Sequence, residues 1–388
     1  MVKCGAWPFI PLTEAATVCD SLRKPINSKE RSKRIAGKDQ SDLYPYYGAT
    51  GQVGYIDDYI TDGEYVLLGE DGAPFLNAFA PKAYIINGKA WVNNHAHILK
   101  AKYDSKFLCY YLNHFNYKGY VSGTTRLKLT QAEMKRIVVP NPSLSEQQRI
   151  VARIEELFSQ LDSGVETLRK TKQQLAVYRQ AVLKEAFADL RRKRPVRELS
   201  SVVTSGSRGW AQYYTEKGAR FVRITDLTRD SIRLKNDNMQ FVDLPENAEG
   251  KRSRLLPNDV LISITADLGS IALIPKDIPE AYINQHIAMV RFENASQGEF
   301  MAWYLKSEHG QRDLLKNKRG GGKLGLGLDD IRDTPVPEVD NEIASNIVKR
   351  IDSRISICDS IEQTVDAALQ QAEALRQSIL KKAFEGGL

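Results

Sequence analysis

YRQAVLKEAF at Tyr178–Phe187 and LRQSILKKAF at Leu375–Phe384 share six of ten residues and lie 197 positions apart. At that offset the correspondence runs upstream without a gap. Leu129 falls on Leu326, Pro140 on Pro337, Ile150 on Ile347, Val151 on Val348, Arg153 on Arg350, Ile154 on Ile351 and Asp162 on Asp359. So long a period implies a duplicated scaffold, and it divides the chain into 1–140, 141–190, 191–337 and 338–388.

Segments 141–190 and 338–388 read as long helices. In the first, Ile150, Ile154, Leu157, Leu161, Val165, Leu168, Leu175, Tyr178 and Val182 follow three-and-four spacing, a narrow stripe near period 3.5. Ser143 suits the N-cap, and Gly164 is expected to loosen the helix locally. The second keeps the stripe less strictly, through Ile347, Ile351, Ile355, Cys358, Val365, Leu369, Leu375 and Ile379. About 40 residues at 1.5 Å each give roughly 60 Å of helix. A stripe that narrow needs a partner helix. If the ends of 191–337 lie close together, as domain termini often do, the second helix returns along the first. The expected fold is α+β: two mixed α/β domains separated by a long antiparallel two-helix coiled coil, related by a pseudo-two-fold axis. Pairing of two such rods in a dimer satisfies the stripes equally.

The globular segments repeat one order of elements. YVLLGED, AYIINGKAWV and HAHILKA read as strands, then SKFLCYYLNHF as a helix. In the second segment DVLISITADLGSIALIP and YINQHIAMVRF precede the helical GEFMAWYLKSEHGQRDLLK. Beyond that order the two share little sequence.

Composition and motifs exclude several classes. The 42% hydrophobic and 27% charged shares fit a globular chain. No apolar run reaches the roughly 18 residues of a membrane span, and MVKCGAWPFIPL has no signal-peptide apolar core, so a cytoplasmic protein without a membrane partner is expected. The four cysteines are scattered, which argues against disulfide and zinc frameworks. A net charge of +7 makes a polyanionic partner plausible. The glycines of GGGKLGLG (Gly320–Gly327) lack the Ser or Thr of a phosphate-binding loop. His95 and His97 alternate along NNHAH, but no third metal ligand is evident in the sequence, and structural hydrogen bonding is the expected role. The acidic pairs Glu70-Asp71 and Asp329-Asp330 are read as solvated, and no catalytic site or metal site is expected.

The loops carry a different chemistry. YPYYGATGQVGY interleaves Tyr44, Tyr46 and Tyr47 with glycines, and VSGTTRLKLT sets Arg126 and Lys128 beside Thr124 and Thr125. TSGSRGWAQYY offers Ser207, Arg208 and Trp210, and KNKRGGGKLGLG offers Lys318, Arg319 and Lys323. Arg and Lys bond guanine edges in the major groove, hydroxyls hold phosphate oxygens, and glycine permits close approach. Each loop taken alone also reads as a solvated turn. The two basic loops, however, occupy equivalent places just before the repeated scaffold, with Leu127 on Leu324.

VVPNPSLSEQQRIVARIEELFSQLD (Val138–Asp162), the two helix ends, and the segments GARFVRITDL, INQHIAMVRF, YYGATGQVGYIDD and WVNNHAHILK together resemble the specificity subunit (HsdS) of type I restriction-modification systems, over essentially the whole chain. The resemblance implies a non-catalytic reader of double-stranded DNA. Target-recognition domains at 1–140 and 191–337 would each read half of a bipartite, asymmetric site. Spacer helices at 141–190 and 338–388 would set the distance and dock two methyltransferase subunits, joined by two restriction/translocase subunits. It also implies that S-adenosylmethionine, ATP and Mg²⁺ sit on those partners and none on this chain. Docking and coiled-coil positions are then Glu146, Gln147, Gln148, Ile150, Ile154, Leu161, Leu168, Leu175 and Phe187, with Ile347, Ile351, Leu375, Ile379 and Phe384 in the second helix. There Ile343, Ala344 and Ser345 stand where the first helix has Glu146, Gln147 and Gln148, so the polar contacts are carried over to the first only. The other class that fits the residues is a coiled-coil adaptor binding proteins or glycans through its globular domains, with self-association open in either case.

Overall fold

The computed structural model describes residues 7–245, 251–316, 318 and 325–388. By its contacts the chain forms two units: Met1–Arg169 with Asp366–Leu388, and Lys170–Val365. Each holds one globular domain and a portion of both long helices. The fold is mixed α+β, and its helices repeat at the offset read from sequence, spanning Leu144–Phe187 and Asn341–Phe384. Their starts are set alike: Ser143 Oγ accepts from the Glu146 N–H at 3.4 Å, and Asp340 Oδ1 from the Ile343 N–H at 2.9 Å. The first helix is continuous through Gly164, since the stripe on either side outweighs one glycine's cost of about 1 kcal/mol.

The globular domains, so unlike in sequence, have one topology. In the first unit an antiparallel sheet runs Ala16–Val18, Ala96–Ala101, Tyr65–Gly69, Ala83–Ile86. In the second the order is Ser200–Ser205, Ile287–Phe292, Val260–Ser263, Ile271–Leu273. A second sheet joins Gly51–Ile56, Tyr44–Gly48 and Trp91–Val92, matched by Gln240–Val242, Ala219–Val222 and Ala281–Ile283 with the edge strand Tyr214–Thr215 added. In both, the middle strand pairs in parallel with the last. The expected single helix of the second domain is two, Gly298–Lys306 and Glu308–Leu314, because Ser307 is extended and caps the second through Oγ to the Gly310 N–H.

The helix ends pack within their own units. Phe384 lies edge-on to Phe107 and Tyr111, with centroids 5.3 and 5.2 Å away; Phe187 meets Phe300 and Tyr304 at 5.6 and 5.4 Å. The repeated arginine and aspartate form a reciprocal pair. Arg376 bonds Asp162 in the first unit, and Arg179 bonds Asp359 at 2.7 Å in the second. Ile150, Ile154, Ile379 and Phe384 share one core; Phe187, Ile347 and Ile351 share the other. Leu175 is buried, and Leu161 and Leu168 are half-buried. Leu375 departs from the expected stripe. It is 51% exposed and its counterpart Tyr178, also expected in the stripe, 47%, because the inward face passes through Leu175 and Val182 in one helix and Ala372 and Ile379 in the other, leaving this position at its edge.

Gln147, expected to dock a partner, is instead an internal latch. It is buried, with Oε1 accepting from the Asp104 N–H at 3.3 Å and Nε2 donating to the Pro142 carbonyl at 3.0 Å. In the second unit the helix has Ala344 there, and Gln297, from the opposite element, donates to the Val339 carbonyl at 2.9 Å. Val339 is the counterpart of Pro142, so one carbonyl is satisfied from opposite sides in the two halves. Glu146 pairs with Arg149 at 2.8 Å, and Gln148 is exposed.

Phe384→Ala should destabilise the first unit by about 3–5 kcal/mol, the range for emptying an aromatic site in a core. Phe187→Ala should act equally on the second. Native-state hydrogen exchange localises the loss, and each substitution should leave protection in the other unit near wild type.

Candidate nucleic-acid interface

Each domain builds a loop cluster on the same backbone frame. In the first, the Asn93 N–H donates to the Tyr47 carbonyl (3.1 Å), and Asn93 Oδ1 accepts from the His95 N–H (2.8 Å). The His95 carbonyl then accepts from the Glu70 N–H (2.8 Å), and the Glu70 carbonyl from the Leu129 N–H (2.7 Å). In the second, Asn284, His286, Ile264 and Leu326 repeat these four bonds at 3.1, 3.2, 3.0 and 3.0 Å. An isolated bridge joins Asp71 to Lys128 in one domain and Thr265 to Gly325 in the other. The organising residues are therefore the Asn-x-His turns of VNNH and INQH. Their sequence signal was present, but at an offset of 191 instead of 197, because the loops between the turns and the helices differ in length.

On equal frames stand unequal side chains. His95 Nδ1 lies 3.4 Å from the Asp71 carboxylate, whereas His286 Nδ1 meets the Thr265 hydroxyl at 2.7 Å. Arg126 Nε pairs with Asp71 at 2.7 Å, and Lys128 Nζ lies 3.5 Å from Glu70. Glu70 and Asp71, read as solvated, thus hold the two cations of the VSGTTRLK loop. Gly123 at φ +100° closes that loop: a Cβ there would collide with the Arg126 carbonyl. One cleft is lined by Thr125 and Arg126 together with the hairpin tip Gly48–Thr50, Asp71 and His95.

Beneath the cleft, His97 is fully buried and held at both ring nitrogens, by Asp20 Oδ2 (2.7 Å) and the Leu129 carbonyl (2.9 Å). Arg23 bridges Asp20 and Glu70. Asp20, Glu70 and His97 are close enough to share a cation, but the Arg23 guanidinium already bridges the two carboxylates and neither His97 nitrogen is spare, so this is a structural charge cluster. Burial pushes the Asp20 carboxyl up, but hydrogen bonds from His97, Gln131 and the Ile98 N–H outweigh it and hold the group below its ordinary value.

Thr124, Thr125, Arg126 and Lys128 are exposed, and Tyr44 and Tyr47 half-buried. Tyr46 is a correction. Strand alternation turns it inward, where its hydroxyl donates to the Ile26 carbonyl at 3.2 Å and its ring underlies Arg31. Trp210 is a second correction, buried against Phe221 and Tyr282 with centroids 5.5 Å away. Ser207 bridges to Asn284 beside the second turn, with Arg208 exposed next to it. Gly206 is required there, since any Cβ would strike the Ile283 carbonyl. Lys318 is exposed; Arg319 and Lys323 lie outside the described residues. Among the described residues no helix is long and apolar enough to cross a membrane.

Two globular domains of one topology, each with the same Asn-x-His frame and different side chains upon it, define a class of tandem-repeat proteins. The type I restriction modification DNA specificity domain model matches residues 15–175 and 230–371, more than three quarters of the chain, and the chain belongs to that family. It is 37% identical over 149 residues (38% of this chain, 36% of the relative) to a putative type I restriction enzyme specificity subunit of Haemophilus influenzae. To the type I restriction enzyme EcoBI specificity subunit of Escherichia coli it is 25% identical, over 74% of this chain and 66% of that one. The chain thus spans about one to two thirds of the length of these two relatives. Its fold is similar to a chain solved in work on complex assembly and conformational transition of the type I R-M system (TM-score 0.73, 18% identity, all of both chains). It is also similar to the HsdS subunit from Thermoanaerobacter tengcongensis (TM-score 0.52, 17% identity, 99% and 98% covered).

Asp20→Asn should destabilise the first unit by about 3–5 kcal/mol, the range for leaving buried charges without a partner. Folding holds this carboxyl below its ordinary 3.8, so its contribution is present above that value and disappears as pH falls through the folded one. Urea unfolding across pH should show wild type losing stability below about pH 4, with a shallower loss in the variant.

Proposed function

We propose that the chain is the sequence-reading subunit of a type I restriction-modification complex. Each globular domain, within 1–140 and 191–337, reads one half of a bipartite, asymmetric site on double-stranded DNA. The observation that carries this reading is the duplicated Asn-x-His frame, on which Asp71, Arg126 and Lys128 in one domain are replaced by Thr265 and a different basic loop in the other. A constant frame with variable exposed donors suits the reading of different bases by one architecture.

The helical segments 141–190 and 338–388 form the spacer, an antiparallel coiled coil that fixes the separation of the half-sites. Tyr178 and Leu375, exposed at equivalent positions, suit the docking of two copies of one partner, a methyltransferase subunit, with two restriction/translocase subunits added. The chain itself is non-catalytic and works in the cytoplasm. S-adenosylmethionine, ATP and Mg²⁺ belong to the partners. The Asn-x-His frame favours this over an adaptor for proteins or glycans, because it presents cations and hydroxyls together.

Methylome sequencing of a host carrying this gene with its partner genes should reveal a bipartite adenine-methylated motif that vanishes on its deletion; an unchanged methylome sinks the reading. Replacing Arg126 and Lys128 should relax one half of the motif, and replacing Lys318, Arg319 and Lys323 the other. Uniform weakening by both sets would reduce these residues to phosphate contacts.

A further inference from the structure

The two domains carry one frame, so each is a reference for the other where their side chains differ. The bonds of the Asn-x-His frame set Asp71 on Thr265 and Gly72 on Ala266. Gly72 and Ala266 are both left-handed, at φ +80° and +58°, so the backbone is the same although only one of them is glycine. A residue with a side chain rarely adopts that conformation, and in the second domain the methyl of Ala266 stands where the first keeps open room. In the first domain an arginine uses that room: a Cβ on Gly72 would lie 2.9 Å from Arg126 Nε.

The backbones on either side are fixed. The Gly72 N–H donates to the Leu127 carbonyl at 2.9 Å, and Ser122 and Lys128 exchange N–H···O bonds at 3.0 and 2.8 Å. Arg126 meets Asp71 through Nε, which leaves its terminal nitrogens Nη1 and Nη2 for a further partner. Asp71 Oδ2 also lies against His95, so the carboxylate keeps a place on the cleft wall when the guanidinium bonds elsewhere. Two N–H donors thus stand beside one carboxylate acceptor. The major-groove edge of a G·C pair is the complement of that order: guanine N7 and O6 accept, and the cytosine N4 amino group donates. An A·T pair presents acceptor, donor, acceptor, which sets the adenine amino group against the guanidinium and thymine O4 against the carboxylate.

We propose that Arg126 and Asp71 together read one G·C pair, Arg126 bonding guanine N7 and O6 and Asp71 accepting from the cytosine amino group. This rests on the DNA-reading function proposed above and names a base pair within it. The two side chains act as a unit, because the base pair that engages one sets what the other must meet. At the equivalent place the second domain has Thr265, with its hydroxyl on His286 Nδ1, and Ala266. Those residues offer no such order of donors and acceptors, so the other half-site is free of this requirement.

The test uses the full chain assembled with its methyltransferase subunits. Methylome sequencing gives the wild-type motif, and binding to duplexes changed at one base pair at a time gives the discrimination at each position. Asp71→Thr imports the residue of the second domain, and Arg126→Ala removes the guanidinium. Each should lower discrimination at one and the same G·C pair by about five- to a hundredfold, the range for a well-made base contact. The double variant should lose little more than either alone, since both residues act on one pair. The other half of the motif should be read as in wild type, which shows that each variant folds and assembles. The assignment is overturned if the two variants relax different base pairs, relax an A·T pair, weaken both halves alike or change nothing; the bipartite motif of the wild type then still upholds the DNA-reading function. A wild type that yields no bipartite motif overturns both.

Discussion

Everything in this chain depends on how the ends of two long helices are held. Each helix closes on a phenylalanine wedged between two aromatic rings of a globular domain, and each sends an arginine to the aspartate early in the other helix. The rings supply most of the stabilisation, since apolar burial outweighs what partly exposed ion pairs provide. The ion pairs add register. An arginine displaced by one residue turns about 100° around its helix and loses its aspartate, so the pairing fixes which turn meets which. Because the contacts occur twice, each domain is oriented on its helices by the same geometry.

That scaffold was legible in the sequence because its residues answer to one another at a constant spacing. Phe187, Phe384, Arg179, Arg376, Asp162 and Asp359 all lie on the 197 offset. The frame beneath the basic loops was hidden for a physical reason. It is made by backbone hydrogen bonds, which leave little mark on side-chain identity, and its Asn-x-His turns slipped to another offset as the loops changed length. The buried cluster was hidden too, since Asp20 and His97 are far apart in sequence and neither carries a local motif. Tyr46 and Trp210 misled because aromatic residues among glycines read as exposed, while alternation and neighbouring rings draw these two inside.

The basic loops are more constrained than their composition suggests. Arg126 and Lys128 pair with Asp71 and Glu70, of which Glu70 is in turn held by Arg23 and Asp71 lies against His95. Pairs whose cations are solvent-exposed are worth at most about 1 kcal/mol, so on the DNA-reading proposal a phosphate or a guanine edge would displace the carboxylate at little cost. The arrangement limits the conformational entropy lost on binding without locking the cations away. The second domain has Thr265 in place of that aspartate on the same backbone, with its hydroxyl on His286.

The glutamine latch has a genetic consequence. Gln147 reaches from the long helix to the loop before it, whereas Gln297 reaches to the equivalent carbonyl from the residue that precedes the domain's short helix. The two halves of each latch are therefore written in different segments. A recombination event that exchanged the globular domains but kept the helices would leave one junction with two glutamines competing for one carbonyl and the other with none. Crossover points that carry each domain together with the first turn of the helix that follows it escape this penalty. The latch thus marks where this duplicated chain can be cut and rejoined without loosening either junction.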